Sequence, residues 1–365
     1  MGFNCGIVGL PNVGKSTLFN ALTVGSADAE NYPFCTIEPN VGRVSVPDRR
    51  LYEIATLAGS EAVVPTSLEF IDIAGLVRGA SSGEGLGNQF LAQIREVDAI
   101  VHVVRCFDGS EITHTHGAVD PVSDAQVVEM ELMLADLESL QRRREALAKK
   151  RRTGDKAVHA LLEVIGMAEA LLADGKPARS LLLGGPKALL LSSLELLSSK
   201  PVMYVCNVDE SAIRNGNSYS VALRTHADRQ DAACVVASAR IESEISTIGD
   251  VGEQSAFLES LGLTESGLAR VVNAGYSLLG LITFFTAGPK EARAWTLSRG
   301  SSAVTAAAKV HSDFARGFIR AETISYKDYA SLGGEIGSRG AGRLRQEGRD
   351  YVVKDGDVIL FRFNI

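Results

Sequence analysis

Short apolar runs that end in polar residues recur in the first 122 residues of the chain and again between residues 201 and 279. Apolar runs of this length, bounded by turn-forming residues, are typical of buried strands. Amphipathic segments lie between them, and strands that alternate with helices predict an open, mostly parallel α/β sheet. The predicted strands are residues 5–8, 41–46, 68–75, 100–107, 202–206 and 233–237.

The pattern changes between residues 123 and 200, where apolar residues recur at helical spacing. This period predicts two amphipathic helices, and Gly154 and Asp155 mark the turn between them. Arginine and lysine residues cluster near that turn, at 142–144 and 149–152. We therefore predict an antiparallel helical hairpin with a basic tip, inserted into the sheet domain. The basic residues either form a solvated helix face or bind RNA phosphates without reading sequence.

A third pattern begins near residue 281, where strand-like segments surround one helix. It predicts a small mixed sheet packed on that helix, with a hairpin turn at Asp355 and Gly356. The predicted division is a sheet domain in two parts, 1–122 and 201–279, with a helical insertion at 123–200 and a C-terminal domain at 280–365.

The turn after the first strand, from Gly9 to Thr17, fits the phosphate-loop pattern G-x-x-x-x-G-K-[ST]. Its glycines let backbone N–H groups face phosphate oxygens, and the following helix adds a favourable dipole. Lys15 is expected to reach the β- and γ-phosphates, and the Ser16 hydroxyl to bind Mg²⁺. The sheet domain is therefore a predicted nucleotide-binding domain. The predicted contacts from this loop are Asn12, Val13, Gly14, Lys15, Ser16 and Thr17.

The predicted strand at 68–75 ends in an Asp-x-x-Gly sequence formed by Asp72 and Gly75. In nucleotide-switch proteins this Asp contacts Mg²⁺, usually through water, and the Gly N–H senses the γ-phosphate. Strand ends are also where ligands bind in open α/β sheets. Thr36 and Phe34 lie in an earlier polar loop and are further candidate contacts. The predicted Mg²⁺ site consists of Ser16, Thr36 and Asp72.

The sequence N-V-D-E at 207–210 occupies the place of the Asn-Lys-x-Asp sequence of guanine-specific switches. There the Asp accepts hydrogen bonds from the guanine N1–H and 2-amino groups. Glu210 is one methylene longer, so we expect the paired bond to be lost, and a site that leaves polar groups unpaired rejects its ligand strongly. The replacement of Asp by Glu therefore weakens the sequence signal for guanine recognition, but it does not prove that the site selects adenine. The predicted base contacts are Asn207, Val208, Glu210, Ser238 and Ala239.

Composition narrows the classes of partner that the chain can be expected to bind. A formal net charge of −7 over 365 residues argues against a broad nucleic-acid surface, and we expect no DNA partner. No signal peptide is evident, and no apolar run is long enough to span a bilayer. The scattered cysteines contain no C-x-x-C pair and suit reduced thiols. We expect a cytoplasmic protein with no membrane partner.

These motifs resemble those of YchF-type Obg-like ATPases, a family of translation-factor-class P-loop NTPases. The resemblance covers nearly the whole chain, and the stretch from Phe284 to Asp357 is similar to the family's TGS domain. It implies a P-loop NTPase sheet with an inserted α-helical hairpin and a C-terminal ubiquitin-like β-grasp (TGS) domain. It also implies ATP preference over GTP, slow intrinsic hydrolysis and association with ribosomes. We expect the basic hairpin tip and the TGS domain to make the contacts with the ribosome and ribosomal RNA.

The catalytic group is not the usual one, because Leu76 stands where Ras-like GTPases place a water-orienting Gln. Leucine cannot hydrogen-bond a nucleophilic water, and orienting that water is a large part of what such proteins supply. The resemblance implies a histidine in the loop after residues 100–107, which matches His114; the alternative is a solvent-exposed loop histidine. Lys15 and Gly75 are the other residues expected to take part in catalysis.

Asn12 supports a second cation besides Mg²⁺. In related switches that lack the Gln, an Asn at this position helps to hold K⁺ between the phosphates, where it offsets developing charge. The alternative is that Asn12 only forms the turn.

The leading interpretation is a ribosome-associated, Mg²⁺-dependent ATPase that acts as a regulatory translation or stress factor. One alternative is a GTPase of ribosome assembly, which holds if Glu210 still accepts guanine. The other is a nucleotide-gated binding module whose hydrolysis is incidental, and Leu76 favours it.

Overall fold

The computed structural model describes residues 3–24, 40–73, 86–108, 119–150 and 155–364. The chain divides into two compact units: unit 1 is Met1–Arg43 with Glu69–Gly275, and unit 2 is Val44–Leu68 with Tyr276–Ile365. No helix within the described ranges is both long and apolar enough to cross a membrane.

The strands are numbered in chain order. They are β1 (Asn4–Val8), β2 (Val41–Ser45), β3 (Ala62–Val64), β4 (Ser67–Asp72), β5 (Ala99–Arg105), β6 (Val202–Asn207), β7 (Ala233–Ala237), β8 (Leu281–Ala287), β9 (Glu291–Ser298), β10 (Phe318–Ser325), β11 (Arg345–Glu347) and β12 (Asp357–Phe363).

The α-helices are numbered in the same way. They are α1 (Lys15–Val24), α2 (Arg49–Ala58), α3 (Leu86–Glu96), α4 (Pro121–Lys150), α5 (Lys156–Ala173), α6 (Gly185–Ser192), α7 (Ser218–Asp228), α8 (Ala239–Thr247), α9 (Val251–Ser260), α10 (Gly267–Leu278), α11 (Ala303–Val310), α12 (Ser312–Arg316), α13 (Tyr326–Ser331) and α14 (Glu335–Gly340).

The sheet of unit 1 has the order β2-β4-β1-β5-β6-β7. Parallel pairing joins β4 to β1, β1 to β5, β5 to β6 and β6 to β7. Backbone hydrogen bonds join Val46 to Thr66 and Asn40 to Asp72, so β2 runs antiparallel to β4. The predicted, mostly parallel α/β sheet is therefore confirmed. The carboxyl ends of β4, β1, β5, β6 and β7 share one edge, where open α/β sheets bind their ligands.

The insertion contains the two predicted helices, α4 and α5. Asp155 caps α5, since its Oδ1 accepts the N–H of Ala157 at 2.8 Å. Both helices contribute to one apolar cluster, which includes Leu140 and Ile165. The structure adds α6, which the periodicity did not predict, because its leucines continue an apolar stretch without a distinct helical period.

A buried polar cluster joins α4 to the sheet. The Glu129 carboxylate accepts hydrogen bonds from the Tyr204 hydroxyl and, at 2.7 Å, from Arg179 Nη2; His226 Nε2 lies 3.7 Å away. Burial alone would raise the pKa of Glu129, but its contacts with His226, Tyr204 and Arg179 outweigh burial and lower that pKa to about 2. Burial lowers the pKa of His102, beside the Tyr204 ring, to about 4, although Glu129 partly opposes the shift.

Unit 2 is built on a sheet with the order β11-β10-β12-β8-β9-β3. β8 and β9 form an antiparallel hairpin with Phe284 opposite Trp295, and β12 runs parallel to β8. Three alanines of α11, Ala303, Ala306 and Ala307, are buried in a core with Phe284 and Phe361. The predicted small mixed sheet packed on a helix is therefore present.

The observed division differs from the predicted one at residues 44–68, which were placed in the nucleotide-binding domain. α2 buries Leu51 and Ile54 in a core with Phe285 of β8, and β3 pairs in parallel with β9. These residues therefore fold with the C-terminal part of the chain. The periodicity indicates a helix here but not which sheet it packs against. The second boundary follows Gly275 rather than residue 279.

Candidate nucleotide-binding site

The phosphate loop connects β1 to α1, as predicted. Asn12 and Gly14 have φ angles of 64° and 87°, in the left-handed region that favours glycine. Gly9 lies against β5, where a Cβ would stand 2.6 Å from the carbonyl oxygen of Val103. Only glycine fits there without displacing the strand. The loop ends where α1 begins at Lys15, which gives the combination of curled backbone and helix N-terminus that binds phosphate.

Lys15 and Asp72 meet beside this loop. The pairing of β4 with β1 places Asp72 opposite Ile7, and Lys15 Nζ forms an ion pair with the Asp72 carboxylate. The two side chains are 11% and 15% exposed. Ser16 and Thr17 are exposed in the first turn of α1. The structure thus brings together the lysine, the hydroxyl and the carboxylate that the sequence assigned to the phosphate and Mg²⁺ sites.

Several predicted residues lie outside the described part of the chain. They are Phe34, Thr36, Gly75, Leu76, His114, Arg151 and Arg152.

Asn207 ties two loops of the candidate site together. Its Nδ2 donates to the carbonyl oxygen of Val13 at 2.8 Å, and its Oδ1 accepts the N–H of Ala239 at 2.9 Å. The side chain is 5% exposed and packs so closely on Gly14 that a Cβ there would overlap its amide. Asn207 therefore fixes the phosphate loop relative to the turn between β7 and α8, a role that the prediction of base contact did not include.

Glu210 is the exposed member of the predicted base-recognition sequence. It begins a single 3₁₀ turn, capped by Asp209, whose Oδ1 accepts the N–H of Ala212 at 3.1 Å. Within the described ranges no polar group contacts the Glu210 carboxylate. Val208, in contrast, is 2% exposed, and its N–H donates to the Ala237 carbonyl oxygen at 2.9 Å. The carboxylate of Glu210 is thus available to a ligand, whereas the side chain of Val208 is core.

An open cleft of about 600 Å³ runs from the phosphate loop to α8, a volume within the usual range of small-molecule sites. It is lined by Asn12, Gly14, Thr17, Phe107, Asn207, Ala239, Arg240, Ser243 and Glu244. Ser238, which the sequence also assigned to base contact, is 1% exposed and is not among the residues that line the cleft.

Phe107 is a cleft residue that the sequence analysis missed. It follows β5 by two residues, and the guanidinium of Arg105 lies 4.7 Å from the centre of its ring. Arg105 Nε also donates to the Phe107 carbonyl oxygen at 3.1 Å. The ring is thereby held at the cleft wall. Its position at the end of the predicted strand 100–107 was the available signal, because strand ends carry ligand contacts in such sheets.

The N-terminus of α7 braces the same segment. Asn217 Nδ2 donates to the carbonyl oxygen of Cys106 at 2.7 Å, and the Tyr219 hydroxyl donates to Asp108 Oδ1 at 2.9 Å. These two contacts fix the chain up to Asp108, immediately before the segment that contains His114.

Two family models match parts of this chain. Residues 4–153 match a model described as a 50S ribosome-binding GTPase. Residues 281–364 match the YchF-GTPase C-terminal model, which is described as a protein of unknown function.

Curated relatives align with the chain from end to end. The ribosome-binding ATPase YchF of Haemophilus influenzae is 51% identical over 365 residues, which cover 100% of both chains. The protein of the same name from Bacillus subtilis is 50% identical over 367 residues, again with complete coverage of both. The chain belongs to the YchF family. The resemblance found in the sequence motifs is therefore confirmed.

Solved structures agree with this assignment. The YchF GTPase of Schizosaccharomyces pombe has a TM-score of 0.89 and 34% identity, over 99% of this chain and 98% of its own. A GTP-binding protein from Pyrococcus horikoshii, with a TM-score of 0.62 and 20% identity over 99% and 100% of the two chains, shares the fold. YchF relatives are thus named both ATPases and GTPases, so their names alone do not decide the base.

Proposed function

We propose that this YchF-family protein is a Mg²⁺-dependent nucleotide switch that binds and hydrolyses ATP in preference to GTP and associates with ribosomes. The observation that carries the proposal is the assembled phosphate loop, with Lys15 against Asp72 and the exposed carboxylate of Glu210 in the base-recognition sequence. The names of the bacterial relatives support both the nucleotide and the ribosome. Action as a cytoplasmic regulator of translation or stress is part of the same proposal.

Ser16, Thr36 and Asp72 are the proposed Mg²⁺ ligands. The donor chemistry fits, because Mg²⁺ prefers oxygen ligands, and the Asp72 carboxylate lies beside Lys15 at the start of α1. When bound there, Mg²⁺ would neutralise charge that develops in phosphoryl transfer. Lys15 and the Gly75 N–H are the protein groups proposed to act on the γ-phosphate.

The base is proposed to lie in the cleft beside α8. Phe107 and Ala239 line this cleft. Glu210 is not part of the lining, and we propose that its exposed carboxylate is the polar group that distinguishes the bases. Asn207 acts by holding the two loops in place. Phe34, Val208 and Ser238 complete the proposed set, the last two through backbone atoms because their side chains are buried.

His114 is proposed to position the attacking water once a ribosomal partner orders its loop. The test is ATP turnover by the His114→Ala protein with and without ribosomes, with His116→Ala as the matched control in the same segment. We expect the first change to abolish stimulated turnover while ATP affinity is retained, and the second to preserve stimulation. Full stimulation of the His114→Ala protein would refute the role.

Asn12 is proposed to help hold K⁺ next to the phosphates. Its left-handed conformation places it at the turn of the loop and in the cleft lining. Turnover should then be faster in KCl than in NaCl at equal ionic strength, and Asn12→Ala should remove the difference. Equal rates in the two salts would leave Asn12 as a turn residue.

The ribosome contact is proposed to involve the basic residues of the insertion and residues 280–365, which we propose to be a TGS domain. Arg142 and Arg144 of α4 have side chains 68% and 54% exposed, although Arg144 also pairs with Glu169. Replacing Arg151 and Arg152 by Glu should weaken RNA association and flatten its salt dependence, because fewer phosphates are neutralised. Unchanged binding would make this cluster a solvated helix face.

A further inference from the structure

Residues 44–68 pass through unit 2 between two segments of the candidate site. The chain leaves unit 1 within β2, forms α2 and β3 in unit 2, and returns within β4. Along the chain, Thr36 comes before residues 44–68 and Asp72 comes after them. Asp72, one of the proposed Mg²⁺ ligands, therefore lies in the strand by which the chain returns from unit 2.

Side-chain contacts hold residues 44–68 against the rest of unit 2. Arg50 of α2 pairs with Asp355 at 2.6 Å, and its guanidinium lies 5.3 Å from the centre of the Phe285 ring. The Tyr326 hydroxyl donates to the carboxylate of Glu53. With Leu51 and Ile54 in the core beneath them, these contacts prevent α2 from moving independently of the unit 2 sheet.

The two connecting strands are also paired with each other. At the unit 2 end of the pair, the N–H of Val46 donates to the carbonyl oxygen of Thr66 at 2.8 Å. At the other end, the N–H of Asp72 donates to the carbonyl oxygen of Asn40, also at 2.8 Å. An ion pair of 2.7 Å between Arg43 and Glu69 also lies across the pair. Because the two strands are hydrogen-bonded at both ends, we expect a displacement of Asp72 to shift β2 and β4 together.

We propose that the β2–β4 pair couples Mg²⁺–nucleotide binding in unit 1 to the order of α2 and β3 in unit 2. The inference rests on the proposed nucleotide-binding function. Coupling of binding equilibria is reciprocal. If nucleotide binding stabilises this segment, a ligand that stabilises the segment raises the affinity for nucleotide by the same factor.

Hydrogen exchange of the full chain tests the coupling, with and without Mg²⁺ and a non-hydrolysable ATP analogue. We expect the analogue to slow exchange in α1, β4, α2 and β3, the last two by about fivefold or more, the lower end of typical coupling. α11, on the other face of the same sheet, should not change. Protection of α1 without protection of α2 and β3 would overturn the coupling alone. No protection of α1 would overturn the nucleotide site and the coupling with it.

A variant of α2 distinguishes coupling through this helix from a general slowing of exchange throughout the protein. Arg50→Met removes the ion pairs with Asp355 and Asp48 but keeps an unbranched apolar stem. In this protein α1 should still be protected, while nucleotide-dependent protection of α2 should fall below about twofold. Arg316→Met is the control, because Arg316 pairs with Asp313 on the other side of unit 2 and is 75% exposed. Equal protection of α2 in both variants would contradict the role of the Arg50 contact.

Discussion

Asn207 shows how one side chain can organise the candidate site by holding two of its loops together. Both ends of its amide are used, one on Val13 and the other on Ala239. The loops it joins are 194 and 32 residues away along the chain. A buried amide in this position leaves two backbone groups unpaired if it is removed, and unpaired buried groups are costly.

Replacing Asn207 by Ala tests this role. We expect the free energy of unfolding to fall by about 2 kcal/mol, and ATP affinity to fall by about tenfold because the phosphate loop is no longer held in place. Urea denaturation and equilibrium titration measure the two effects. Asn20→Ala is the control, since Asn20 is exposed on α1. Equal behaviour of the two variants would contradict the role.

His102 makes stability depend on pH. Its pKa falls from 6.5 in the unfolded chain to about 4 in the folded protein, so the unfolded chain takes up the proton first. The contribution is complete at pH 7 and is lost progressively below about pH 6.5, by about 2 kcal/mol at pH 5. Glu129, whose pKa is lowered to about 2, adds a further loss only below its ordinary value of 4.5.

Denaturation curves between pH 7 and pH 5 measure the effect. His102→Gln should flatten the dependence, even if the variant is less stable overall, because residue 102 then takes up no proton on unfolding. His159→Gln, a change of an exposed histidine on α5, should leave the slope as it is. Parallel curves for His102→Gln and the unaltered protein would show that His102 is not the group responsible.

At the scale of elements, the sequence predicts what is local and misses what is distant. Buried strands, the phosphate loop and the helical pair are visible because apolar period and glycine spacing are local properties. The position of α2 in unit 2 is not, since it depends on Phe285, more than 200 residues further along the chain. The same limit explains Phe107 and Asn207, whose roles depend on contacts that only the folded sheet creates.

Ile54→Ala tests the assignment of α2 to unit 2. Ile54 is fully buried, so its loss should leave a cavity and cost about 3 kcal/mol in the stability of unit 2. Leu57→Ala on the same helix removes a side chain that is 38% exposed and should cost less than about 1 kcal/mol. Hydrogen exchange in β8 and β9 reads the effect directly. Faster exchange in the unit 1 sheet, with β8 and β9 unchanged, would contradict the assignment.

At the scale of the whole molecule, family and fold are settled and the choice of base is the central question. The relatives at 50% and 51% identity are named ATPases, whereas the solved relative at 34% is named a GTPase. Within this chain the choice depends on Glu210, an exposed carboxylate that begins a 3₁₀ turn where guanine-specific switches carry Asp.

Equilibrium affinity for ATP and for GTP tests this account most directly. It should be measured on one nucleotide-free preparation with Mg²⁺ and K⁺ present, and repeated with Glu210→Asp. We predict tighter binding of ATP by about tenfold or more, equivalent to about 1.4 kcal/mol, and a smaller ratio in the variant. Tighter binding of GTP by the unaltered protein would contradict the account and place this chain functionally with the assembly GTPases.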